Sequence, residues 1–62
     1  MLRLGIDVGG THTDAVLMDG VGIVCTHKAG TSRDVGSGIV AAAETVLGLS
    51  GIARSQLDAV II

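Results

Sequence analysis

The sequence predicts an α/β fold laid out in the order β-β-β-α-β. Three observations carry that expectation: alternating apolar residues up to Lys28, a switch to helical spacing from Asp34, and a closing apolar run, Ala59 to Ile62. Leu2, Leu4, Ile6 and Val8 alternate with Arg3, Gly5 and Asp7, the period of a strand. Gly9-Gly10 breaks that strand. A second strand spans Thr13 to Met18 and ends at Asp19-Gly20, a dipeptide suited to a type I′ hairpin turn. Val21 to Lys28 reads as the third strand, with Val21, Ile23, Cys25 and His27 on one face. These three make an antiparallel meander.

Ala29 to Arg33 reads as a loop, in which Thr31 or Ser32, or the following Asp34, can cap a helix. From Asp34 to about Leu49 the apolar residues Val35, Ile39, Ala42, Ala43, Val46 and Leu49 fall at helical spacing, and Ala41-Ala42-Ala43-Glu44 favours helix strongly. Ser50-Gly51 marks its end. Ile52 to Leu57 allows one short helical turn. Ala59 to Ile62 is then a strand apolar on both faces, as in a parallel pair covered on each side.

Composition limits what the chain can be. With 48% hydrophobic and 16% charged residues it is not a disordered polymer. A net charge of −2 with scattered Arg and Lys gives no electrostatic footprint for nucleic acid. Cys25 is alone, which excludes an internal disulfide and a multi-cysteine zinc site. No run is long enough to span a membrane and no signal peptide is visible, so the cytoplasm is the expected compartment. The 62 residues include ten glycines and no aromatic residue. A domain of that size buries only ~60% of its unfolded surface. Residues 1–62 are therefore expected to be the N-terminal, incomplete part of a larger domain, self-associating in isolation through Ala59 to Ile62.

The chemistry concentrates in Gly5 to Gly20, "GIDVGGTHTDAVLMDG". Asp7 lies at the end of the first strand, facing away from Ile6 and Val8, where a carboxylate needs a hydrogen bond, water or a cation. Gly9 and Gly10 can adopt positive φ and let backbone N–H groups converge on an anion. Thr11 and Thr13 alternate onto one face and add hydroxyls. A carboxylate beside such donors suits a Mg²⁺–phosphate ligand, hence a nucleotide triphosphate tail. A glycine turn with local Thr and Asp bonds is the plainer reading. By the same logic Gly10→Val is expected to harm nucleotide binding more than Gly38→Val. No Walker loop is present, and Gly36 to Ala41 matches the dinucleotide fingerprint in letters but lacks a strand directly before it.

"LGIDVGGTHTDAVLMD" resembles the first phosphate motif of the actin, sugar-kinase and heat-shock chaperone ATPase superfamily. More narrowly, Asp7-x-Gly9-Gly10-Thr11-x-Thr13-Asp14 is similar to the opening of the hydantoinase A and 5-oxoprolinase family. The resemblance implies a partial ribonuclease-H-like domain. It implies ATP and Mg²⁺ as cofactors, with Asp7 holding the metal through water. Gly9, Gly10 and Thr11 would offer backbone donors to the phosphates, and Thr13 a hydroxyl to phosphate or to a neighbouring strand. The implied activity is ATP-dependent hydrolysis of a cyclic amide of the hydantoin or 5-oxoproline type, with a second hydantoinase subunit as a possible partner. A sugar or small-metabolite kinase, a regulatory ATPase and a simple interaction module stand as alternatives. Asp14 has no assigned role, and His12 is left outside catalysis as a locally bonded residue.

Overall fold

A computed structural model describes all 62 residues. The elements run β1 (Leu2–Val8), β2 (His12–Asp19), β3 (Gly22–Gly30), α1 (Val35–Ser50), a 3₁₀ turn (Arg54–Gln56) and β4 (Ala59–Ile61). The sheet order is β3-β2-β1-β4, with β1–β2 and β2–β3 antiparallel and β1–β4 parallel. The expected α/β meander, helix and parallel strand are all present.

One face of the sheet is covered. Leu4 and Ile6 of β1 and Ala15 and Leu17 of β2 point the same way and meet Ala42 and Val46 of α1, forming a buried cluster. Alternation along a strand makes this a parity rule: even residues of β1 and odd residues of β2 go to the helix. The other parity, Gly5 and Asp7 with Asp14, Val16 and Met18, lies on the open face. α1 presents Ile39, Ala42, Ala43, Val46 and Leu47 inward at helical spacing. Leu47 takes the core position expected of Leu49, which is exposed along with Val35.

β3 departs from simple alternation. Leu17 pairs with Cys25 but Met18 pairs with Ile23, so Val24 is an extra residue bulged from the ladder. The bulge reverses parity: Cys25 and His27 share the helix side, whereas Ile23 faces the open side with Met18. The expected single face of Val21, Ile23, Cys25 and His27 is thus divided. Ala29 and Gly30 extend β3 rather than starting the loop. The hairpin turn also differs from type I′. Its central residues are Gly20 and Val21, and only Gly20 has positive φ, at 61°. Type I′ requires positive φ at both, which Val21 would adopt only with strain.

Asp34 caps α1. Its carboxylate accepts from the Ser37 hydroxyl at 2.7 Å and from the Ser37 N–H at 3.5 Å. At the far end Gly51 is left-handed (φ 75°), and its N–H donates to the Leu47 carbonyl at 3.0 Å. The 3₁₀ turn then leads into β4, which Asp58 fastens to β1. The Asp58 N–H donates to the Leu2 carbonyl and its carboxylate accepts from the Leu2 N–H, each at 2.8 Å.

The Asp34 cap gives α1 an acid-sensitive anchor. The Ser37 hydroxyl, then the Ser37 N–H, holds the Asp34 carboxyl below the ordinary aspartate value of 3.8. A carboxyl lowered in the native state stabilises it above the unfolded pKa and loses that contribution as pH falls through the native value. Helicity followed by circular dichroism should therefore decline as pH drops below about 3.8. In Asp34→Ala that decline should be diminished and stability at neutral pH reduced.

Candidate functional site

The turn between β1 and β2 is Gly9 to Thr11, and the sheet's register sets what surrounds it. Asp7 pairs directly with Asp14, and Asp14 with Lys28, so three charged residues cross β1, β2 and β3 in one row on the open face. Lys28 Nζ lies 3.8 Å from Asp14 Oδ1. An exposed pair of this kind contributes ~0–1 kcal/mol, so it does not hold the hairpin together. It does supply Asp14 with a counter-charge. Asp7 is exposed, and its carboxylate has neither an ion pair nor a protein hydrogen bond. Asp7, opposed across the strands by Asp14, has no counter-charge of its own.

The turn's own hydrogen bonds sort its donors. The Gly9 N–H donates to the His12 carbonyl at 2.8 Å, which closes the turn. The N–H groups of Gly10 and Thr11 have no protein acceptor. The Thr11 carbonyl accepts from the Thr31 N–H at 3.0 Å, and the Thr11 hydroxyl bonds His12 Nδ1 at 3.0 Å. His12 is thus bonded locally.

Beneath the turn runs a second set of bonds. The Thr31 hydroxyl donates to the Gly9 carbonyl at 2.7 Å. Thr13, only 3% exposed, lies 3.2 Å from the same Thr31 oxygen. Because a carbonyl only accepts, the Thr31 proton is committed to Gly9, and the Thr13 hydroxyl donates to Thr31. The chain Thr13–Thr31–Gly9 joins β2 and the loop after β3 to the glycine turn. It uses the Thr13 hydroxyl in the manner of a structural bond, on the face opposite Asp7 and Asp14. Sequence reading missed Thr31 at this site, treating it only as a possible helix cap; the twenty-residue separation from the turn gave no local signal.

The glycines fall differently from the expectation. Neither Gly9 nor Gly10 has positive φ; that conformation belongs to Gly20 and Gly51. A Cβ on Gly9 would stand 3.0 Å from the His12 carbonyl oxygen, whereas one on Gly10 would meet nothing within 4 Å. Gly9 is required by close approach inside the turn, and Gly10 leaves space open above it. Gly38 is not the permissive helix position expected: a Cβ there would lie 2.5 Å from the Ser32 hydroxyl, which itself donates to the Asp34 carbonyl. Gly36 to Ala41 lie within α1, separated from β3 by Thr31 to Asp34, and β4 lies beside β1 rather than β3. The dinucleotide pattern therefore lacks its strand–turn–helix setting.

The sequence profile of the hydantoinase/oxoprolinase N-terminal region matches residues 3–62. The chain belongs to that family. The match takes in the meander, α1 and β4, and includes every residue of the glycine turn. No curated protein and no solved structure matches the chain. Hydantoinase/oxoprolinase N-terminal regions are thus the setting in which the Asp7 turn is to be understood. No helix here is long and apolar enough to cross a membrane.

Three substitutions separate the roles of this turn. Thr31→Val should remove the Gly9 anchor and leave the buried Thr13 hydroxyl without its acceptor, costing about 1–3 kcal/mol in urea unfolding. Gly9→Ala should also destabilise, through the His12 carbonyl contact. Gly10→Ala should unfold within about 0.5 kcal/mol of the parent. A Gly10 variant as unstable as Gly9→Ala would overturn the assignment of close approach to Gly9 alone.

Proposed function

We propose that the Asp7 turn is the phosphate- and metal-holding element of an ATP-dependent cyclic-amide hydrolase of the hydantoinase or oxoprolinase kind. One observation carries the reading. Asp7 is an unpartnered carboxylate at a strand end, next to a turn whose Gly10 and Thr11 N–H groups are free and whose Gly10 side is open. Those are the groups that a cation-bound polyphosphate requires, a hard oxygen ligand and backbone donors. The family membership supplies the reaction class, and the turn supplies the part of it that this chain can perform.

The residues fit Mg²⁺ and a nucleotide phosphate unequally. Asp7 is suited to hold Mg²⁺ through water, since no protein donor competes for its oxygens. Gly10 and Thr11 are the donors available to phosphate, while the Gly9 N–H is already committed inside the turn. Thr13 supports the turn from below through Thr31. Lys28 offsets Asp14, which keeps the second carboxylate from doubling the charge at the metal position. When bound, Mg²⁺ offsets the negative charge of a phosphoryl group in transfer. The role of this chain is to hold that group still against a turn braced from beneath by Thr31.

The acceptor in this reading is the amide oxygen of a five-membered cyclic amide, whose activation by phosphate makes the ring carbon open to water. A kinase of the same superfamily would use the same turn on a hydroxyl acceptor. The family match favours the amide. The second hydantoinase subunit and a cytoplasmic setting belong to this proposal as well.

In a protein containing this region and its catalytic partners, Asp7→Asn should abolish Mg²⁺-dependent ATP turnover while the circular dichroism spectrum is retained. His12→Ala should change turnover by less than about tenfold, since its ring bonds only Thr11. Normal turnover in folded Asp7→Asn would sink the metal assignment.

A further inference from the structure

Thr31 replaces a bond that the glycine turn would otherwise make within itself. In a four-residue turn the first carbonyl ordinarily accepts from the N–H three residues on, here Gly9 from His12. That bond is absent. The reciprocal one is made, from the Gly9 N–H to the His12 carbonyl at 2.8 Å. The Gly9 carbonyl accepts from the Thr31 hydroxyl instead, at 2.7 Å. The Thr31 N–H also donates to the Thr11 carbonyl at 3.0 Å. One residue therefore grips both carbonyls that bracket Gly10 and Thr11.

The side from which Thr31 grips the turn decides what the turn can do. Its hydroxyl receives that of Thr13, which is buried on the helix side of β2 with Ala15 and Leu17. The Gly9 carbonyl is accordingly bonded toward the helix side. In a trans peptide the N–H points opposite the C=O of the same unit, and the N–H in the unit of the Gly9 carbonyl is that of Gly10. The Gly10 N–H is thus directed toward the open face, which carries Asp7. A Gly9 carbonyl turned to His12 would lie in the plane of the sheet, and the Gly10 N–H with it.

We propose that Thr31 is a positioning residue for phosphate, whose hydroxyl acts through the Gly9 carbonyl to aim the Gly10 N–H at the face of Asp7. The inference rests on the phosphate reading of the Asp7 turn and adds to it a residue from the far side of the meander. Thr31 touches neither metal nor phosphate, because its proton is committed to Gly9 on the opposite face. It acts on affinity: a donor already fixed in direction needs no reorganisation when the anion arrives. Thr13 stands one bond further back, and the Thr31–Gly9 bond does not depend on it.

The test uses a protein containing this region and its catalytic partners, with Mg²⁺-ATP as the probe and folding checked by circular dichroism. By titration calorimetry, Thr31→Val should weaken binding about tenfold or more. Thr31→Ser, which keeps the hydroxyl, and Thr13→Val, which leaves the Gly9 bond in place, should each stay within about threefold of the parent. In NMR spectra of the parent, the Gly10 amide should shift as Mg²⁺-ATP is added, while the Gly9 amide, committed to His12, holds its position. Parent-like binding by Thr31→Val overturns the proposal, as does a Thr31→Ser variant no better than Thr31→Val. If Thr11 responds and Gly10 does not, the aim assigned to Thr31 is wrong and the phosphate reading survives. If neither amide responds, the phosphate reading falls and this inference falls with it. Should Thr31→Val fail to fold, the Gly10 response in the parent decides: a static Gly10 amide rejects the proposal.

Discussion

The packing of Ala42 and Val46 of α1 onto Leu4, Ile6, Ala15 and Leu17 is the contact on which the molecule depends. With no aromatic side chain available, this small aliphatic cluster supplies most of the apolar burial. It also decides geometry. Once the helix claims one parity of β1 and β2, the opposite parity must lie on the other face. Asp7 and Asp14 become neighbours because Ile6 and Ala15 are both core residues in the same register. The charged row is a by-product of hydrophobic pairing, and its position is as firm as the core beneath it.

The glycine turn depends on a different kind of support. Thr31, in the loop after β3, reaches back to the Gly9 carbonyl and receives the Thr13 hydroxyl. That loop also leads into the Asp34 cap, so the turn and the start of α1 are fixed by consecutive stretches of chain. A turn held on its underside by the Thr31 and Thr13 hydroxyls, and left bare at Gly10, has its rigidity on one side and its open space on the other. Preorganised donors of this kind need little rearrangement to meet an anion.

Much of this was legible in the sequence. Strong alternation in β1, the run Ala41 to Glu44 in α1 and the two-sided apolar end gave the elements and their order. Asp7, Gly9, Gly10 and Thr11 lie at one end of β1, with Thr13 on the sheet face opposite Asp7. What escaped reading was set by contacts distant in the chain or by single extra residues. The Val24 bulge carries no sequence mark, because Ile23 and Val24 are equally apolar and either could face the core. Thr31 lies 22 residues from Gly9 and 18 from Thr13. Gly9 and Gly10 look alike as letters, and only the His12 carbonyl distinguishes them. Gly38 looked permissive until Ser32 came to lie against it.

The two hydrogen bonds between Leu2 and Asp58 have a consequence for how such a chain is made. Synthesis delivers β1 first, yet one of its flanks is satisfied only by residues near position 58. During elongation the nascent chain can form the β1–β2–β3 meander from neighbouring segments, and α1 can coil as it emerges. β1 nevertheless waits with that flank bare until β4 arrives. The interval is a window in which any other extended segment can take the place reserved for β4. Asp58 shortens that window: its side chain and its backbone both seize Leu2, so the arriving strand is caught in register by a single residue.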